Sequence, residues 1–435
     1  HYAVNALKLK KMTPGMLTKD SIFHDAVIIG GGPSGSAAAY WLAKKGIDVA
    51  VIEKKSFPRE KTCGDGLTPR ALKQLLDMGL DESLLGHRYL GLRAKAFGKT
   101  LELPWPQTKD YPEIGYCITR YDLDSLTKTT AEKQGATFYQ DTEAIAVNKE
   151  KNQAVQIKAV DKKTHKTKDF KFLYLIIADG SNSRIGRQLG VTRDKSYPLG
   201  LAIRSYFSSD YSTDDFIESR LDIRDEHNNV MPGYGWIFPL GDGRLNVGAG
   251  LLNTSKQWKG VNTTILFNNF IKQVGPDWKF TEKDLLQNPT GGKLPMGLSL
   301  KPRFGTNWLC AGDALGAINP FNGEGISYAY ETGRLAANYI SQAIEHNLKT
   351  NESYFFLQNY NNELVEKYRI YYDVASRFVE LISNPKVMKF LVSTGMKSSF
   401  IMEIVLEIMA NLLTDKKLKA SKSLLKIAAK IVEML

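Results

Sequence analysis

Short apolar runs recur along this chain and stop at glycine or an acid. "AVII" (Ala26–Ile29) runs into Gly30, "VAVI" (Val49–Ile52) into Glu53, Leu173–Ala178 into Asp179, and Trp308–Ala311 into Gly312 and Asp313. Runs of this length bounded by turn residues read as strands. Between Val191 and Thr290 the pattern changes. "LAIRSYF", "GYGWIFPL" and "RLNVGAG" are alternating or short apolar runs, with "GDG" (Gly241–Gly243) between the last two. They read as antiparallel strands with a tight hairpin turn. "AKAFGKTLELPW" (Ala94–Trp105) is expected to add strands to the same sheet. Tyr234 and Trp236 alternate along one strand and so share a face.

The carboxyl end switches to a helical period. In "FIMEIVLEIMANLL" (Phe400–Leu413), Ile401, Ile404, Val405, Ile408 and Leu412 oppose Glu403, Glu407 and Asn411. In the following stretch Lys419, Lys422, Lys426 and Lys430 oppose Leu418, Leu425, Ala428, Val432 and Leu435. Both predict amphipathic helices too short and too charged to span a bilayer. One reading lays the basic helix in an anionic membrane interface; the other docks it on its own protein with a solvated lysine face.

The first strand carries the most specific chemistry. Gly30, Gly32 and Gly35 form a GxGxxG spacing after a strand, and Pro33 and Ser34 open the helix that follows. Gly30 permits the turn, Gly32 lets backbone approach a pyrophosphate, and Gly35 lets the helix pack on the strand. The diphosphate then meets free N–H groups at the helix N-terminus. Glu53 lies 18 residues beyond Gly35, where a carboxylate accepts a ribose diol and repels a 2′-phosphate. The uncharged stretch Ala26–Ala43 has the length of a membrane span, but its glycines and proline fit the nucleotide turn better.

Composition narrows this further. At roughly 100–200 residues per domain, 435 residues predict two or three domains. Cys63, Cys117 and Cys310 are too few and too scattered for a disulfide framework and fit a reducing cytoplasm. Cys117 and Cys310 read as core. No CxxC or HExxH spacing occurs, so no metal is expected. His87, His165, His227 and His346 stand in polar or loop-like contexts and read as solvated, and no Ser/His/Asp set is legible. The net charge of +12 is spread out except at the carboxyl end, which argues for lipid or no partner rather than DNA. The segment before Asp20 has no apolar core of a signal peptide.

A plain NAD domain needs neither Asp179-Gly180 nor the loop from Gly312 through Asn322, Gly323, Glu324 and Gly325. An extended FAD does, because its far end must be held by a strand reached after long insertions. An aspartate at a strand end can bind a ribityl hydroxyl, and a helix N-terminus can face the flavin N1–O2 edge, stabilising negative charge by typically about 0.3–1 kcal/mol.

Together the fingerprint, "ADGSNSR" and "CAGDA" resemble the p-hydroxybenzoate hydroxylase-like flavoprotein superfamily. Within it, "CGDGLTPR" and "PGYGWIFPLGDGRLNVG" resemble the geranylgeranyl reductase family, nearest to actinobacterial-type menaquinone reductases, over about Asp25–Asp415. The resemblance implies an α/β fold: a Rossmann-like FAD-binding domain (21–90, 113–196 and 291–345), an inserted antiparallel substrate sheet (91–112 and 197–290), and a C-terminal helical region (346–435). It implies that Gly30, Gly32, Gly35 and Glu53 hold the ADP moiety. Arg120 would touch FAD, Asp313 the ribityl chain, and Gly323, Gly325 and Ile326 the ring. Asp179 joins them as a strand-end acid. The loop Cys63, Gly64, Asp65 and Gly66 would lie beside the flavin, with Cys63 facing substrate unless it is merely a buried small side chain. Tyr234 and Trp236 would line the substrate cavity.

The implied activity is FAD-dependent saturation of a double bond in the isoprenoid tail of menaquinone, with NAD(P)H a candidate donor. The implied location is the cytoplasm or the inner face of its membrane. The alternatives are a geranylgeranyl reductase acting on a prenyl diphosphate or lipid, an FAD monooxygenase on the same fold, and a non-enzymatic prenyl-lipid carrier. A halogenase lacks support because the WxWxIP stretch is absent.

Overall fold

The computed structural model describes residues 21–231, 233–253, 261–382, 384, 386–387, 389–390 and 399–412. The stretch before Ser21 and the lysine-bearing stretch after Leu412 lie outside them, so the expected basic helix is not described.

Strand β1 (Ser21–Ile29) leads into helix α1 (Pro33–Lys44) and strand β2 (Val49–Ile52). Ala26, Val27 and Ile28 are fully buried, as expected for a central parallel strand covered on both faces. The 26–43 stretch is thus a strand and a helix. Two short strands, β3 (Gly66–Leu67) and β4 (His87–Tyr89), flank helix α2 (Pro69–Asp77). Next come β5 (Gly91–Ala96), β6 (Lys99–Pro104), β7 (Gly115–Cys117), helix α3 (Arg120–Lys133) and β8 (Thr137–Tyr139). The meander β9 (Thr142–Glu150), β10 (Gln153–Asp161) and β11 (Thr167–Ile177) completes the first half.

The first sheet runs β8-β2-β1-β11-β10-β9. β11 is longer than its apolar run suggests, and it serves two partners along one edge. Its first part pairs antiparallel with β10, and Leu175–Ile177 pairs parallel with β19 (Trp308–Cys310). This brings Asp179 and Asp313, more than a hundred residues apart in sequence, to adjacent strand ends. Cys117 and Cys310 are buried, as expected.

After helix α4 (Arg184–Gln188) and β12 (Thr192–Arg193), the chain builds β13 (Leu199–Ser208), β14 (Phe216–Arg220), β15 (Gly233–Pro239) and β16 (Arg244–Leu252). The second sheet is ordered β17 (Thr290–Pro295), β13, β16, β15, β14, β5, β6, so β5 and β6 do join it. The β15–β16 pair is the expected GDG hairpin. Strand β17 (Thr290–Pro295) adds an edge, carrying this sheet past residue 290. The region is not all strand: helix α5 (Thr263–Trp278) covers one face, packing Phe267, Phe270 and Val274 on Ile203, Val247 and Ala249. The opposite face carries Arg204, Tyr206, Tyr234, Trp236 and Asn246, as strand alternation requires.

After β18 (Leu300–Lys301) and β19, the described residues include helices α6 (Ile326–Glu345), α7 (Thr350–Ile382) and α8 (Ser399–Met409). α8 docks on its own protein. Met402, Leu406, Ala410 and Leu412 pack with Tyr89, Leu92, Leu103 and Trp105. The last carbonyls of this segment are satisfied by side chains, Met409 O by Asn322 Nδ2 at 2.9 Å and Asn411 O by Arg70 at 2.8 Å. No helix among the described residues is long and apolar enough to cross a membrane.

Candidate active site

A single cavity of about 860 Å³ runs from the β1–α1 turn to the C-terminal helices. Gly30, Gly32, Pro33, Ser34, Glu53 and Arg120 line one end. Asp179, beside Gly30, and Asp313, Gly323, Gly325, Ile326, the Cys63–Gly66 loop, Tyr234 and Trp236 line it too. The sequence-predicted residues therefore converge, with one exception. Gly35 does not reach the cavity; it packs beneath it, where a Cβ would fall on the Gly30 carbonyl oxygen.

Helix ends show what the first half is built to receive. Thr68, Thr119, Ser183 and Asn262 cap α2, α3, α4 and α5 with their side chains. Helices α1 and α6 instead start at Gly32 and Gly325 with no capping side chain, and both open on the cavity. Two free N-termini facing one space suit an elongated anionic ligand. Polar atoms along the same wall are also left over: Asp179 Oδ1 and Arg59 Nε are buried without partners. Burial pushes the Asp179 carboxyl up. Glu53 Oε2 accepts from Gly31 N at 2.9 Å, leaving its carboxylate at the end of β2. Arg120 pairs with Asp124 through Nε and Nη2, both at 2.7 Å, and Arg59 Nη1 reaches the same acid at 3.1 Å. A Cβ on Gly32 would lie 3.8 and 3.9 Å from the Arg120 and Arg59 guanidinium nitrogens, so both cations flank the turn. Asp313 Oδ1 would sit 3.4 Å from a Cβ on Gly325, at the head of α6. These residues fit FAD.

The Cys63–Gly66 loop is clamped to the second sheet by side chains the sequence did not single out. Asp65 has φ 66° and is fully buried. Its Oδ2 accepts from Tyr206 Oη at 2.5 Å and from Asn246 Nδ2 at 2.7 Å, and Oδ1 accepts from Arg120 N at 3.2 Å. Burial pushes its carboxyl up to about 6, against the pull of Tyr206, Arg204, Asn246 and Arg120. Asn246 also donates to Cys63 O at 2.8 Å and accepts from Trp236 Nε1 at 2.9 Å. Arg204, 2% exposed, donates to Cys63 O at 3.0 Å and Lys61 O at 3.4 Å. The loop's glycines have a steric role: a Cβ on Gly66 would come within 2.9 Å of the Phe238 ring, and one on Gly64 within 3.2 Å. Asp65 thus borders the cavity while its carboxylate is committed to the sheet. Cys63 is half-buried, and burial raises its thiol, which is neutral at pH 7.

The other half of the cavity is apolar. Trp236, Phe238, Phe321, Phe378, Met402 and Leu406 line it, so the C-terminal helices wall the site as well as cover the sheet. Tyr234 Oη donates to the Asn322 carbonyl, tying β15 to the loop before α6. His87 lies outside the cavity but is not solvated as expected: it is half-buried, and its Nε2 donates to Asp214 O at 2.8 Å.

Comparison with known proteins agrees with this geometry. Residues 24–222 match the FAD binding domain family model. The chain is 37% identical over 395 residues to a menaquinone reductase of Mycobacterium tuberculosis, covering 90% of this chain and 92% of that protein. The chain belongs to the geranylgeranyl reductase family of flavoproteins. This reductase is an FAD-dependent oxidoreductase acting on CH–CH groups. It is also 31% identical over 325 residues to digeranylgeranylglycerophospholipid reductase 2 of Methanosphaera stadtmanae, covering 74% of this chain and 78% of that one. The fold matches a geranylgeranyl bacteriochlorophyll reductase-like crystal structure from Thermoplasma acidophilum with a TM-score of 0.72, at 24% identity, over 92% of this chain and 95% of that one.

Proposed function

We propose that the reductase saturates one carbon–carbon double bond in the isoprenoid tail of menaquinone, using FAD reduced by NAD(P)H or another donor. The observation that carries this reading is the continuity of the cavity, which joins the glycine turn, Glu53, Asp179 and Asp313 to an apolar lining of Trp236, Phe238, Phe321, Phe378, Met402 and Leu406. The identity to a protein named menaquinone reductase supports the quinone. The digeranylgeranylglycerophospholipid reductase likeness supports a prenylated lipid as second substrate class. Such substrates reside in bilayers, which supports a working place at the membrane surface.

In this reading the start of α1 with Gly30, Gly32, Pro33 and Ser34 holds the diphosphate, flanked by Arg59 and Arg120. Glu53 takes the ribose diol. Asp179 and Asp313 take ribityl hydroxyls, and Gly323, Gly325, Ile326 and the Cys63–Gly66 loop bracket the ring. When bound and reduced, the cofactor supplies hydride to carbon. An isoprenoid alkene is not polarised by a carbonyl, so a proton must reach the other carbon first or in concert. The cationic character this creates is stabilised by the ring faces of Tyr234, Trp236 and Phe238 in a space from which the aliphatic walls exclude water.

The test is anaerobic incubation of purified protein, reductant and menaquinone, read by mass spectrometry. A product heavier by two hydrogens, formed without oxygen, is expected. Oxygen consumption with a hydroxylated product would instead identify a monooxygenase. Cys63→Ala is expected to keep its flavin and lose about tenfold or more in saturation rate, an effect of misplaced substrate rather than of lost binding energy alone. Unchanged turnover would remove the thiol from the site's workings.

A further inference from the structure

We propose that Asn246 is a positioning residue that ties the indole of Trp236 to the Cys63–Gly66 loop, so that the aromatic wall of the cavity and the loop assigned to the flavin are held as one piece. The proposal rests on the functional reading above, in which the alkene reacts between that loop and the rings of β15.

The loop sits on one cross-strand rung of the second sheet. Tyr206 of β13, Asn246 of β16 and Phe238 of β15 stand side by side in register. All three meet the loop. Tyr206 Oη donates to Asp65 Oδ2, and Asn246 Nδ2 donates to Cys63 O at 2.8 Å and to Asp65 Oδ2 at 2.7 Å. The Phe238 ring fills the space that a Cβ on Gly64 or Gly66 would need. Asn246 also reaches diagonally to the next inward residue of β15, where its Oδ1 accepts from Trp236 Nε1 at 2.9 Å.

The partners fix which way the amide points. Indole Nε1 is only a donor and a backbone carbonyl only an acceptor, so Oδ1 faces Trp236 and Nδ2 faces the loop. Both N–H groups and the oxygen are used, and the side chain is fully buried. A core amide is tolerated only when satisfied in this way, and it then imposes one geometry on its partners.

Trp236 is held on a second side by backbone. A Cβ on Gly248, its register partner on β16, would fall on the six-membered ring, so the indole lies directly against that strand. Its ring centre lies 6.0 Å from that of Tyr234 and 6.4 Å from that of Phe238. Loss of the Asn246 amide frees the indole to rock against Gly248. It also leaves Cys63 O to Arg204 and Asp65 Oδ2 to Tyr206. Trp236 and Cys63 line the cavity and Asn246 does not, so Asn246 acts through these two rather than on substrate.

The test compares wild type, Asn246→Ala, Trp236→Phe and the double variant, with saturation of menaquinone expressed per bound flavin. Asn246→Ala is expected to lose about 10²-fold in kcat, the scale of a misplacement of about 1 Å, with KM changed little. A merely structural residue would lower the yield of flavin-bound protein and leave the rate per flavin intact. In the Trp236→Phe background the indole is already untied, and Asn246→Ala should cost several-fold less than in wild type. Ultraviolet resonance Raman difference spectra taken against the matching Trp236→Phe protein isolate this indole. Its N–H band should shift in Asn246→Ala. An unshifted band, an unchanged rate per flavin or fully additive losses would each overturn the proposal. If Asn246→Ala yields no flavin-bound protein, Trp236→Phe decides: a rate per flavin equal to wild type overturns the proposal, and a loss near 10²-fold, about the same misplacement, supports it. If wild type saturates no isoprenoid alkene, the functional reading falls and the proposal falls with it; every other overturning result leaves that reading intact.

Discussion

Gly35→Ala is expected to yield colourless protein. The added Cβ would fall on the carbonyl oxygen of Gly30, which belongs to backbone at the end of β1 and cannot swing aside as a side chain could. Helix α1 must then lift from β1, taking with it the uncapped N-terminus to which the proposed function assigns the diphosphate. Overpacking of this kind costs about 1–3 kcal/mol or more in stability, and the misplaced N–H groups add a loss of flavin affinity. The flavin-to-protein absorbance ratio and the melting temperature measure the two effects. Gly292→Ala is the control, since a Cβ there meets nothing within 4 Å, and it should leave both unchanged. A yellow Gly35→Ala protein with normal flavin content would show that the β1–α1 contact does not govern the cofactor site.

Arg204→Met is the second large effect. The guanidinium supplies donors to Cys63 O and Lys61 O and positive charge near buried Asp65. Removing it takes the donor from Lys61 O, leaves Cys63 O to Asn246 alone, and leaves a buried carboxylate less compensated, a loss of about 1–3 kcal/mol. Alkene saturation should fall with it, because the loop beside Trp236 and Phe238 is no longer clamped. The deficit should depend on pH. Asp65 has a folded value near 6 against 3.8 when free, so its contribution to stability is fully present below 3.8 and is lost as pH rises through 6. Without Arg204 the folded value climbs further, and the deficit is therefore larger at pH 7.5 than at pH 5. Arg204→Lys should recover only part, since an ammonium lacks the planar fork. Equal stability and turnover of Arg204→Met and wild type at pH 7.5 would refute the clamp.

Both predictions concern contacts of different reach, and reach explains what could be read from the chain. The Gly30–Gly35 turn, its strand, its helix and Glu53 all lie within one short segment, where spacing alone states the geometry. The GDG hairpin and the shared face of Tyr234 and Trp236 were legible for the same reason. Helix α5 was not, although Leu266, Phe267, Phe270, Ile271 and Val274 carry a helical period, because Gly275 and Pro276 break the pattern among strands. Arg204 offered one faint signal, a lone charge inside the apolar run "LAIRSYF". Nothing local could say that it would close on a loop 141 residues away.

The sequence by itself determined the cofactor half: strand-end acids, glycine turns and helix starts are backbone features, and their spacing along the chain dictates their shape. Tertiary structure alone decided the reacting half. It paired Tyr206 and Asn246 with Asp65 and laid α8 over the cavity. An amphipathic pattern states that a face must be covered but not by what. A buried polar side chain acquires its chemistry from whichever distant groups the fold brings within hydrogen-bonding distance.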